Sequence, residues 1–176
     1  MVECVICEIM EGKVPARKIY EDDEIMAFLD VNGATQGHTF LAPKKHYPIF
    51  EQVPDHIVAQ LFELSNKIST ALFESLKVQG TNVFVANGVS AGQSVAHFTI
   101  NIIPRTEGDG VNLQWQPRQL SEEEMSTVEI KVKEGAKHLG GFGEEEQGVE
   151  QVQGEVKKIS SDEDNYLWRS VNKRIS

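Results

Sequence analysis

SVAHFTINIIPR, residues 94–105, decides how this chain is read. Phe98, Ile100 and Ile102 alternate with Thr99 and Asn101, and Pro104 closes the run, so the stretch is expected to be a β-strand. A period of two sets His97, Thr99 and Asn101 on one face and the apolar residues on the other. Three polar side chains along an otherwise apolar strand read as the floor of a site.

Upstream, the loop GVSAGQS (88–94) joins this stretch to another strand, NVFVAN (82–87). Before it, Pro54–Leu76 repeats Ile57, Leu61, Leu64, Ile68, Leu72 and Leu76 every three or four residues, and Pro54 and Asp55 suit a first turn. That is a long helix. RKIYE (17–21), EIMAFLD (24–30) and HTFLAP (38–43) are three further strands, with an acidic turn at Asp22 and Asp23 and a loop, VNGATQG. CVICEIMEGKVP at the amino end is expected to be a short helix.

Downstream of Thr106 the character changes. LSEEEMSTVEIKVKEGAKHL starts acidic and ends basic, as a helix prefers, and is expected to be helical over about 121–139. A polar linker over about 140–162 follows, then a segment over about 163–175 whose Tyr166, Leu167, Trp168 and Val171 form an apolar cluster expected to dock. The expected division is a domain over 1–118 and an extension over 119–176.

Among 176 residues the formal net charge is −10, which argues against general affinity for nucleic acid but not against a small phosphorylated ligand. No apolar run approaches the ~18–20 residues that cross a bilayer, and MVECVICEIMEGK carries acids where a signal peptide carries bases. The expectation is a soluble, cytoplasmic protein with neither nucleic acid nor membrane as partner. Both cysteines lie in CVIC, residues 4–7. Such a pair supplies half of a tetrahedral zinc site, or is a pair of buried or redox-active thiols, and spacing alone leaves both open. Of five histidines, His56 falls in the first helical turn and His138 in the extension, leaving His38, His46 and His97 near the sheet.

Two loops carry weaker signals. Gly88 and Gly92, with Ser90 and Ser94, allow close approach to a phosphate or simply make a loop. Asp30, at a strand end, accepts from two sugar hydroxyls or caps a turn. His38, in GHTF, reads as a structural hydrogen-bonding histidine.

In order, CVICEIMEGKVPARKIYEDDEIMAFLD, GHTFLAPKKHY and NVFVANGVSAGQSVAHFTINIIPR resemble the histidine triad (HIT) family over residues 3–105, extending to about Trp115. The resemblance implies an α+β fold, a five-stranded antiparallel sheet with one long and one short helix, and a homodimer. It implies a purine nucleoside monophosphate lying across the final strand, and hydrolysis or transfer of a nucleotidyl group from phosphoramidates or dinucleoside polyphosphates. Position by position, it makes Asp30 the residue holding the ribose, and Asn87, Gly92, Gln93 and Ser94 the phosphate loop. Cys4, Cys7, His46 and His97 become the ligands of a zinc ion; with four protein ligands that zinc is structural. Trp115 either reaches the partner's nucleotide site, as similar proteins do at this point, or is a core residue.

The chain departs from the family at the signature itself. The pattern His-φ-His-φ-His-φ-φ, φ being apolar, reads here His97-Phe98-Thr99-Ile100-Asn101-Ile102-Ile103. Thr99 stands at the nucleophile position and Asn101 at the third triad position. A threonine hydroxyl must lose a proton before it attacks well, and an amide does not take that proton up near pH 7. The expected function is therefore nucleotide binding with a structural zinc and without covalent nucleotidyl-histidine chemistry. The alternatives are a hydrolase in which water attacks directly, and a scaffold acting through the extension.

Overall fold

Period-two runs and one long apolar helix stripe resolve into five strands and three α-helices among the described residues, 4–137 and 139 of a computed structural model. They follow as α1 (Val5–Met10), β1 (Lys18–Glu21), β2 (Ile25–Leu29), β3 (Thr39–Pro43), α2 (Asp55–Leu76), β4 (Gly80–Val85), β5 (Ile100–Arg105) and α3 (Glu122–Gly135). The sheet is antiparallel throughout, in the order β1-β2-β3-β5-β4. This is the expected α+β architecture.

Register sorts the two faces. Ala27, Leu41, Ile100 and Val85 lie opposite one another across four strands. That face meets Ile57, Leu61, Ile68 and Leu72 of α2, and the residues form one core with Phe98 and Ile102. One residue along, Phe28, Phe40, Asn101 and Phe84 make the corresponding row on the other face. There Met26, Phe28 and Ala42 pack with Cys4 and Ile6. The sheet is thus covered by a long helix on one side and by a six-residue helix beside an open floor on the other.

The opening stretch is not one strand. β5 begins at Ile100 rather than Ser94, because the backbone of 95–98 turns away to carry His97 inward. His97 N–H donates to the Val95 carbonyl at 2.8 Å and Phe98 N–H to the Tyr47 carbonyl at 2.6 Å. Nor does Pro104 end the run, since β5 continues to Arg105. The Pro104 carbonyl accepts the Thr35 hydroxyl at 2.7 Å, so the missing N–H points to a side where the β3 ladder, which ends at Thr39, makes no demand. β4 lies two residues earlier than NVFVAN suggests.

The chain divides into two units, 1–115 and 116–176. In the second, Ser121 caps α3: its hydroxyl accepts the Glu124 N–H at 3.2 Å while the Glu124 carboxylate accepts the Ser121 N–H at 2.8 Å. The expected linker, the apolar docking segment and His138 lie outside the described residues. Trp115 is 76% exposed, so the core reading of that residue does not hold. Among the described residues no helix is long and apolar enough to cross a membrane.

Candidate functional site

Cys4, Cys7, His46 and His97 converge on one point, their ligand atoms all within 4.8 Å of one another. Cys4 precedes α1 and Cys7 lies in its first turn, which sets both thiols toward the sheet. Cys7 Sγ is 3.2 Å from His46 Nδ1 and 3.5 Å from His97 Nδ1; Cys4 Sγ is also 3.5 Å from His97 Nδ1. Tetrahedral zinc with ordinary bond lengths separates its sulfur and nitrogen ligands by about 3.6 Å. His97 Nε2 lies 2.9 Å from the Pro43 carbonyl, which only accepts, so Nε2 carries the proton and Nδ1 keeps its lone pair. Burial pushes the His97 pKa down, against the pull of the Pro43 carbonyl and with help from His46. Burial and the adjacent Cys4 push the Cys7 thiol up to about 11. Two crowded cysteines, with the Cys7 thiol resisting ionisation beside an imidazole held neutral, are a donor set that suits a cation. The residues fit zinc.

Beside this cluster, on the same sheet face, lies a cavity of about 650 Å³, a size that suits a nucleotide-sized ligand. Its floor is Thr99, Asn101, Phe40 and Phe84, one wall is Val5, Ile6 and Ile9 of α1, and its rim carries Asp30, Gly92, Gln93 and Ser94. Asp30 is the one ionisable side chain among the described residues that line it. Its Oδ1 accepts the Asn32 N–H at 2.9 Å, so it caps a turn and also borders the cavity.

Of the residues assigned to a phosphate loop, Asn87 does not line the cavity. Its Oδ1 accepts the Phe50 N–H at 3.0 Å and its amide donates to Glu51 at 2.9 Å, pinning a 3₁₀ turn at Phe50–Gln52. Gln93 is likewise committed to the scaffold, accepting from Gly88 N–H at 2.8 Å and donating to Pro48 and Val95 carbonyls at 2.7 and 3.0 Å. Gly92, at φ +89°, makes the turn that brings Ser94 to the rim. His38 is buried and fully engaged. Its Nδ1 accepts the Ala34 N–H at 3.2 Å, and its Nε2 is 3.2 Å from Asn101 Oδ1. The α1 wall and the phenylalanine row went unnamed in the sequence. Antiparallel register was the signal for the phenylalanines, since it gives Phe28, Phe40 and Phe84 the same parity as Asn101.

Comparison with known proteins gives this geometry relatives. An uncharacterized HIT-like protein of Methanocaldococcus jannaschii is 41% identical over 107 residues, covering 61% of this chain and 82% of that one. The adenylylsulfatase HINT3 of Arabidopsis thaliana is 40% identical over 107 residues, covering 61% of this chain and 54% of that longer protein. Among solved structures, a zinc-bound histidine triad family protein from Mycobacterium smegmatis superposes with a TM-score of 0.60 at 30% identity, covering 74% of this chain and 96% of that one. The family model describing the HIT domain matches residues 11–108, more than half of the chain, which therefore belongs to the HIT family.

Proposed function

We propose that the protein is a zinc-clasped nucleotide-binding member of the family that receives a purine nucleoside monophosphate without forming a covalent nucleotidyl-histidine. One observation carries the reading: no imidazole borders the cavity among the described residues, and Thr99 and Asn101 line its floor instead. In this reading Cys4, Cys7, His46 and His97 hold the ion. When bound it supplies a structural brace and no open coordination position.

The remaining residues bind rather than react. Asp30 accepts from the ribose hydroxyls, the apolar wall of α1 and the phenylalanines receive the base, and Thr99, Asn101 and Ser94 donate to phosphate oxygens. Thr99 attacks nothing, since no side chain beside it in the cavity takes up a proton except Asp30, which the ribose occupies. A homodimer belongs to the same reading, supported by β4, an edge strand with one paired neighbour among the described residues.

Calorimetry with adenosine monophosphate tests the reading: saturable heat at millimolar ligand or below is expected, and no heat overturns it. The adenylylsulfatase relative supports a second reading, hydrolysis, in which water would attack directly because no imidazole borders the cavity among the described residues. Adenosine 5′-phosphoramidate and adenylyl sulfate separate the two. Turnover lost in Ser94→Ala, with no adduct on the polypeptide by mass spectrometry, favours the hydrolase.

A further inference from the structure

Asn101 is an amide with two chemically different ends, and the protein dictates which end the cavity sees. The Ala34 backbone N–H can only donate, and it points at His38 Nδ1 at 3.2 Å. That nitrogen therefore presents a lone pair, and the neutral ring carries its proton on Nε2. Nε2 lies 3.2 Å from Asn101 Oδ1, an acceptor. The reverse orientation of the amide would set N–H against N–H. With its oxygen held by His38, the NH₂ group is the end of Asn101 that remains for the cavity the residue lines.

The surroundings of the ring support the same assignment. Asp30 Oδ2 stands 3.5 Å from Nδ1, beyond ordinary hydrogen-bond length and farther than the Ala34 N–H at 3.2 Å, so the backbone donor is the nearer partner of that nitrogen. Asp30 is the titratable group facing the ring, and Phe40 covers it with centroids 5.0 Å apart. The loop closes tightly over the side chain: a Cβ on Gly33 would come within 2.7 Å of His38 Cβ. The ring is thus held from several sides.

We propose that His38 is a positioning residue that locks the Asn101 amide with its N–H donors toward the ligand, making a fixed, uncharged donor for the phosphate-bearing end. The proposal rests on the nucleotide reading for its ligand and on the His38–Asn101 geometry for its mechanism. Its consequence is selective. Loss of His38 frees the amide to rotate and present its oxygen to an anion, which weakens a phosphorylated ligand and leaves a phosphate-free one alone.

The test titrates wild-type protein, His38→Ala and His38→Gln with adenosine monophosphate and with adenosine, and reads the His38 ring nitrogens and the Asn101 side-chain amide by ¹⁵N NMR. His38→Ala is expected to weaken adenosine monophosphate about tenfold, as loss of one charge-assisted donor does. Adenosine affinity stays unchanged, and His38→Gln, which restores an N–H donor, recovers most of the loss. In wild-type protein the ring is protonated at Nε2 and the Asn101 amide signals move when adenosine monophosphate is added. A ring protonated at Nδ1 alone, or equal loss of both ligands in His38→Ala, overturns the proposal. Wild-type protein that binds no adenosine monophosphate overturns the nucleotide reading instead, and the ring-nitrogen spectrum still decides the geometry. The spectrum also decides it if His38→Ala does not fold.

Discussion

In the proposed reading, a hydroxyl at position 99 would meet a phosphate with its proton still attached, and donation is then the chemistry open to it. The same economy governs Asp30, which caps its turn through Oδ1 and borders the cavity. Those two duties separate by mutation. Asp30→Asn keeps an acceptor for the Asn32 N–H, so the melting temperature holds within a degree or two while nucleoside affinity falls by about 1–2 kcal/mol, the worth of hydrogen bonds to a charged acceptor. Asp30→Ala loses both, and thermal melting beside calorimetry distinguishes the variants. The sequence left cap and ribose contact as alternatives because it carries no information on what stands over a strand end. It also could not show that Asn87 and Gln93 spend their amides on the scaffold, since the partners at Phe50 and Pro48 are some forty residues distant.

Elements were legible where burial is periodic. β2, β3 and α2 each present a continuous face to one core, so apolar spacing alone locates them. Residues 94–99 were not legible, because their composition serves the site: a strand-like pattern surrounds a backbone bent to deliver His97. TEGDG read only as a turn, yet it closes β5. Arg105 donates to both Asp109 oxygens at 2.6 and 2.9 Å and to Asn82 on β4 at 2.6 Å. Asp109 also accepts the Val111 and Thr106 N–H groups at 2.9 and 3.1 Å. Arg105 foremost, then the Val111 N–H, holds the Asp109 carboxyl well below the usual range. A depressed carboxylate stabilises the fold above its unfolded pKa, near 4, and that support is lost as pH falls below it. Asp109→Asn is therefore expected to melt lower at pH 7 and to show a shallower decline between about pH 4 and 2. Equal acid slopes in the two proteins would remove the turn from the account.

For the whole molecule, the proposed zinc clasp predicts the largest change in stability. At a thousandfold excess of metal over its dissociation constant, binding to the folded state alone contributes about 4 kcal/mol. Chelation is then expected to lower the melting temperature by about 15 °C. Scanning calorimetry with and without chelator measures it, and an unchanged melting curve would dismiss the clasp. The core between the sheet and α2 contains none of the four ligands, so the stripped protein is expected to remain folded below its lowered melting temperature.

Helix α1 has six residues and no side-chain cap, far too short to persist by itself. It nonetheless carries Cys7 and supplies Val5, Ile6 and Ile9 to the cavity wall. If the protein holds ion and nucleotide as proposed, both oppose the same local melting event and must favour each other: adenosine monophosphate should raise the chelator concentration needed to strip the protein, by the same factor by which stripping loosens the nucleotide.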